Sequence, residues 1–232
     1  MTTYSISKSF EWQGTITGKV VSVCRMFGLA ADRLTEQRFT HKCRLEINAG
    51  DIVYLTGPSG AGKTVLLAEL EKAVPAADSV NLAEIPLPDD RTLIDCISAG
   101  GRHTAEADLL MSLRFLSTVG LNDCFCILNQ PGNLSAGQQY RFRLAMALAA
   151  GKKFVFADEF CSGLDDVTAA VISYRLHRFA KSNGTTFILA SSRHDILSDL
   201  APDVMIVTQL SGPAEVIYRH KASHSGKHTG SK

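Results

Sequence analysis

The run Gly57-Pro58-Ser59-Gly60-Ala61-Gly62-Lys63-Thr64 stands between the apolar stretch Ile52-Val53-Tyr54-Leu55 and a helix-forming segment that stops at Pro75. No other part of the chain constrains its fold so strongly. Glycines at 57, 60 and 62 let the backbone turn tightly and aim its N–H groups inward, while the following helix presents its positive end to the same point. Strand, glycine loop and helix in that order predict a phosphate-binding P-loop; the competing reading is a plain glycine-rich turn. In a P-loop the amides of 57–64 cradle phosphate oxygens and Lys63 reaches the outer phosphates. Thr64 offers a hydroxyl to Mg²⁺, an ion that keeps most of its waters and takes few protein oxygens.

Downstream, helical and strand patterns alternate. A helix is predicted over 104–119, with Glu106 and Asp108 in its first turn, Leu109, Leu113 and Leu116 on one face, and Gly120 as its stop. A further helix at 135–149, an apolar strand at 154–157, a helix at about 166–181 and a strand at 187–190 complete the series. Such alternation predicts an α/β fold with a mostly parallel sheet covered on both faces and ligands at the carboxyl ends of its strands. Segments 204–210 and 216–218 flank Ser211-Gly212-Pro213 and predict a closing hairpin. Residues 1–47 carry alternating positions (Val20-Val21-Ser22-Val23; Phe39, Cys43, Leu45, Ile47), which predict strands of an antiparallel edge sheet.

With 232 residues, 45% of them hydrophobic, the chain can bury one full core. A formal net charge of +1 excludes a global field that attracts nucleic acid or anionic membrane. The stretch 219–232 is rich in Lys, His, Ser and Gly and holds no acid, and its lack of any apolar period predicts a disordered tail; a nucleic-acid contact there rests on charge alone. Six cysteines show neither CxxC pairs nor zinc-finger spacing, so neither a disulfide framework nor a structural metal is expected. There is no leader pattern and no run of apolar residues long enough to span a bilayer, which predicts a cytoplasmic protein.

The strand at 154–157 ends in Asp158-Glu159, the acidic partner that a P-loop needs. Neighbouring strand residues point to opposite sides, so Asp158 is placed to hold the Mg²⁺ shell and Glu159 to polarise an attacking water. Two solvated acids at a strand end would be the bland reading. The upstream P-loop argues against it.

At the start of the helix at 135–149, Leu134-Ser135-Ala136-Gly137-Gln138 resembles the LSGGQ signature of ABC ATPases. In the same order as in that family, Ser162-Gly163-Leu164-Asp165 resembles the D-loop, and His194 in Ser191-Ser192-Arg193-His194-Asp195 resembles the switch histidine. The resemblance implies ATP with Mg²⁺, ATP hydrolysis, and a head-to-tail homodimer in which Ser135 of one copy closes over the γ-phosphate held by Lys63 of the other. It further implies that His194 senses that phosphate, that Asp165 bonds across the dimer, and that an upstream aromatic, Phe27 with Phe39 behind it, stacks on adenine.

The likeness covers about residues 20 to 210, as an ATPase domain over 1–218 with a shortened helical subdomain at about 84–150. Only 71 positions separate Lys63 from Leu134. That is short for a transporter domain, and no Gln stands in a convincing Q-loop place; Glu84 falls near it as a further carboxylate for Mg²⁺. A membrane subunit is therefore not expected as partner. Pro86-Leu87-Pro88-Asp89-Asp90 and the residues after the signature are most similar to soluble ABC-type ATPases often fused to a predicted acetyltransferase domain. The resulting expectation is a soluble ATPase whose dimerisation switches an unknown partner protein. The alternatives are the energy-coupling subunit of a transporter and an ATP-binding module with negligible turnover.

Overall fold

The computed structural model describes residues 2–11, 14–32, 34, 38–98, 104–210 and 213–219. The basic tail from 220 onward lies outside them. Strand β1 (Thr2–Glu11) pairs antiparallel with β2 (Arg38–Ile47), Thr2 opposite Ile47 and Glu11 opposite Arg38. Between them in sequence lies helix α1 (Gly18–Met26). Val20-Val21-Ser22-Val23, whose alternation predicts a strand, is part of this helix. Thr17 caps it by accepting from the Val20 N–H, Arg25 sits in its last turn, and Gly28 follows with φ 66°. Four alternating residues are too few to outweigh start and stop signals at both ends.

The second sheet contains β3 (Ile52–Thr56), β4 (Ser79–Asn81), β5 (Phe154–Ala157), β6 (Thr186–Ala190), β7 (Val204–Val207) and β8 (Glu215–Tyr218). Its order is β4-β5-β6-β3-β7-β8, parallel up to β7, with β8 antiparallel to β7. The helices between these strands are α2 (Lys63–Lys72), α3 (Leu93–Cys96), α4 (Ala105–Thr118), α5 (Cys124–Ile127), α6 (Ala136–Ala149), α7 (Asp166–Asn183) and α8 (Leu197–Leu200). The fold is thus the expected α/β arrangement: a mostly parallel sheet beside a small antiparallel one.

Alternation along the strands sorts the core into two faces. Ile52, Tyr54, Val155, Ala157, Phe187 and Leu189 pack with Phe142 and Ala145 of α6 and Ile172 and Leu176 of α7. Val53, Leu55, Phe156 and Ile188 pack with Leu66, Leu67 and Leu70 of α2 and with Leu45 and Ile47 of β2. Strand β3 is wholly buried from Ile52 to Leu55, as its unbroken apolar run requires of a central parallel strand. Burying one such Leu or Ile contributes about 1.5–3 kcal/mol.

Candidate functional site

Four segments leave the carboxyl ends of four adjacent strands. In sheet order they are the turn reaching Glu84 after β4, Asp158-Glu159 after β5, Ser191 to His194 after β6, and the glycine loop after β3. Neighbouring strands lie about 4.8 Å apart, so the acids and the glycine loop leave strands separated by about 10 Å, with the histidine loop emerging between them.

In the glycine loop the three glycines adopt φ of 142°, 79° and 83° at 57, 60 and 62, values that L side chains rarely take. Gly57 also lies against β7's continuation: a Cβ there would come 2.3 Å from the Thr208 carbonyl oxygen. Pro58, Ser59 and Gly60 are exposed and Ala61 is buried. Gly62 is the N-cap of α2 and supplies no side-chain bond to its first turn, so amides at that end remain open to an anion. Lys63 is buried, and its Nζ donates to the carbonyls of Gly57 at 2.9 Å and Pro58 at 3.0 Å. An ammonium has three N–H bonds, so one is left for a phosphate oxygen. Thr64 is exposed on the first turn of α2.

The sequence left a possible metal set at Thr64, Asp158 and Glu84. Asp158 stands one residue beyond the carboxyl end of β5, the strand whose Phe156 packs on the face that α2 covers. It is half-buried, accepts from the Glu159 N–H at 2.9 Å, and has no cationic partner among the described residues. A hydroxyl and a lone carboxylate suit a hard ion that draws its remaining oxygens from water and phosphate, so these residues fit Mg²⁺. Glu84 is exposed, in the single turn Leu82–Glu84 beyond the edge strand β4. Phe27 is exposed just past α1, and the backbone of Phe39 lies in β2 opposite Phe10.

Glu159 is exposed with φ 49°, and Cys161, two residues on, is buried with φ 58°. Burial pushes the Cys161 thiol up to about 12. His194 is exposed, with Leu197 donating to its carbonyl at 3.3 Å. Its neighbour Ser192 donates to the Gly57 carbonyl at 3.4 Å, which ties the histidine loop to the glycine loop.

Ser135 is exposed at the tip of α6 and caps that helix: its Oγ accepts from the Gln138 N–H at 3.3 Å, and Gln138 Oε1 accepts from the Ser135 N–H at 2.9 Å. The hydroxyl keeps a proton to donate outward. Leu134 is buried beneath it and Ala136 is exposed. A Cβ on Gly137 would meet Leu164 at 3.2 Å, so this helix packs closely on the segment 162–165. Asp165 caps α7 by accepting from the Thr168 N–H at 2.9 Å; that bond and its neighbours hold its carboxyl below the usual range.

Sequence reasoning passed over Tyr54, Tyr140, Arg193 and Thr208, which tie these segments together. Tyr54 Oη donates to the Arg193 carbonyl at 2.6 Å, and the Cys161 N–H donates to Tyr140 Oη at 3.1 Å. The available signal was a lone phenol inside the apolar run of β3.

The ABC transporter family model matches residues 40–162, just over half of the chain. The chain belongs to the ABC transporter family. Methionine import ATP-binding protein MetN 1 of Rhodococcus jostii is 29% identical over 90% of this chain and 70% of its own length. MetN of Streptococcus agalactiae is 29% identical over 70% of this chain and 54% of its own length. This ABC domain thus spans between about half and somewhat over two thirds of those relatives. Among solved structures, an ATP-binding cassette dimer in a post-hydrolysis state with ADP and Pi bound shares the fold. The TM-score is 0.60 at 22% identity, over 79% of this chain and 92% of that one. The ligand of an ABC ATPase domain is ATP with Mg²⁺, and its activity is ATP hydrolysis. The expectation that a membrane subunit is no partner does not stand, because both relatives are named import ATP-binding proteins. Among the described residues no helix is long and apolar enough to cross a membrane.

Proposed function

We propose that two copies of this chain close head to tail on ATP, each nucleotide lying between the glycine loop of one copy and the Ser135 tip of the other. The observation that carries this reading is a pair of incomplete anion sites facing solvent. The first turn of α2 has no side-chain cap, and the Ser135 hydroxyl at the tip of α6 is exposed with a proton to spare. A helix N-terminus and oriented amides attract the same polyanion from either side.

In this reading the amides of 57–62 and the Lys63 ammonium bind and orient the β- and γ-phosphates, with Thr64 and Asp158 holding Mg²⁺. The ion neutralises charge that builds on the phosphate oxygens. Glu159 accepts a proton from the attacking water, and His194, from the strand between, hydrogen-bonds the γ-phosphate and keeps that water in line. Ser135 and the Gly137 backbone of the second copy complete the shell. Asp165 meets the partner copy while capping α7, and Phe27 stacks on the base. Glu84 takes the water-mediated place near the ion.

Hydrolysis separates the copies, and the cycle drives a partner protein. The names of the relatives favour a membrane importer as that partner; the short interval between Lys63 and Leu134 favours a soluble one. Glu159→Gln keeps the shape of the side chain and removes the base. With Mg·ATP it is expected to run as a stable dimer on gel filtration and to hydrolyse ATP about 100-fold or more slowly than the wild type. A variant that stays monomeric in Mg·ATP overturns the head-to-tail reading. A wild-type chain without steady-state ATPase activity overturns the enzymatic one.

A further inference from the structure

Arg193, the residue before His194, has a side chain only 16% exposed and is held by several partners. Its Nη1 donates to the Cys161 carbonyl at 3.1 Å and to the Leu164 carbonyl at 2.6 Å. Nη2 donates to Asp166 Oδ1 at 2.6 Å and Nε to Asp195 Oδ1 at 3.0 Å. The Arg193 main chain is fixed as well: its N–H donates to Ser191 Oγ at 3.3 Å, and its carbonyl accepts from Tyr54.

The bonds to Cys161, Leu164 and Asp166 reach the segment that follows β5, while those to Ser191, Asp195 and Tyr54 fix Arg193 in its own loop. Glu159 and Cys161, at φ 49° and 58°, are not glycines. Each such residue costs on the order of 1–3 kcal/mol and persists only where its surroundings over-determine it. Side chains hold Cys161 on both sides: its N–H donates to Tyr140 and its carbonyl accepts from Arg193. Backbone bonds add to this, with Phe160 N–H donating to Ala190 O at 2.8 Å and Ser162 N–H to Glu159 O at 3.0 Å.

We propose that Arg193 is a positioning residue for ATP hydrolysis. Through the Cys161 and Leu164 carbonyls and Asp166 it holds the turn that aims Glu159, and it keeps that turn in fixed relation to His194. Tyr140 extends the link to α6, the helix whose tip carries Ser135, so that what engages the tip is felt at Glu159. A planar guanidinium can bond several acceptors in a fixed fork; a lysine ammonium keeps the charge and loses the fork. The inference rests on the roles proposed above for Glu159 and His194.

The test compares steady-state hydrolysis, Mg·ATP affinity and thermal unfolding for the full chain, Arg193→Lys, Arg193→Ala, Glu159→Gln and the double variant Glu159→Gln with Arg193→Lys. Both Arg193 variants are expected to lose about 10–100-fold in kcat, the scale of a misplaced catalytic group, with Mg·ATP affinity retained. Guanidinium added to Arg193→Ala below denaturing concentration restores part of kcat, and an equal concentration of KCl does not. The double variant is no slower than Glu159→Gln alone, because Arg193 acts through Glu159. If Arg193→Ala does not fold, Arg193→Lys and the double variant carry the test. An Arg193→Lys protein with wild-type kcat, or a loss in kcat matched by an equal loss of affinity, overturns the proposal. An inactive wild type would instead remove the functional reading beneath it.

Discussion

The loop after β3 and the turn after β5 both carry left-handed backbone at the carboxyl end of one sheet, but with different residues. The first places glycine at 57, 60 and 62; the second places Glu159 and Cys161 in that region. Glycine takes these angles without steric penalty, so the shape of the first loop is written into its own eight residues. The second turn is forced into shape by Tyr140 from α6 and by Arg193, itself anchored to Tyr54 in β3. Phosphate binding is therefore specified locally, and the aim of Glu159 depends on three elements distant in sequence. On the reading proposed above, nucleotide binding then rests on local sequence and hydrolysis on the rest of the molecule.

The largest effect is expected where the first loop is deprived of its glycine. In Gly57→Ala the new Cβ would stand 2.3 Å from the Thr208 carbonyl oxygen and 2.5 Å from its Oγ1, at a φ of 142°. Both neighbours are held, since Thr208 bonds Thr56 through its N–H and its hydroxyl. Thermal unfolding is expected to report a loss of about 4 kcal/mol or more, and ATP titration no binding. If the variant binds ATP as the wild type does, the loop is not specified by its glycines and the contrast fails.

A smaller effect sharpens the other side. Glu159→Ala keeps a Cβ at φ 49°, and Glu159→Gly does not; both remove the carboxylate and both should lose hydrolysis. Glycine normally destabilises relative to alanine through the unfolded chain. Here the order is expected to invert, with the glycine variant more stable by about 1 kcal/mol in urea unfolding. An alanine variant that is the more stable would mean that the turn carries no strain.

How much of this was legible in the sequence follows the same division. The glycine loop and the helix start at Ser135 were legible because each is contiguous and states its own backbone requirement; Asp158-Glu159 was legible as an acidic pair at a strand end, but the left-handed backbone at Glu159 was not, since no local residue asks for it. The wall behind Gly57 was not, because Thr208 is 151 positions away and β7 is adjacent to β3 only through the strand order. Arg193 was quoted as part of the histidine segment without a role. Its acceptors at 161, 164 and 166 become neighbours only when β5 and β6 pair. Val20 to Val23 misled for a different reason: short β-branched alternation fits either a strand or a helix, and caps decided the outcome.

The smallest effect concerns the thiol inside the strained turn, for which the glycine loop has no counterpart. Burial raises Cys161 from an ordinary 9.0 to about 12. Between those values the folded chain keeps a proton that the unfolded chain has released, so folded stability is intact below pH 9 and declines as pH rises from there toward 12. One such group contributes a decline of about 1 kcal/mol between pH 8 and pH 10. Cys43, raised to about 11, and Tyr54, raised to about 12, lower stability with the same sign, so the wild-type slope alone does not isolate the turn. Cys161→Ala removes the thiol and leaves these groups in place, together with Cys96, Cys126 and Tyr140, which burial also raises. Its urea midpoint is expected to fall less than that of the wild type over the same interval. Equal slopes would mean that Cys161 ionises in the folded chain as readily as in the unfolded one, and so that the turn opens far more readily than its bonds to Tyr140 and Arg193 imply.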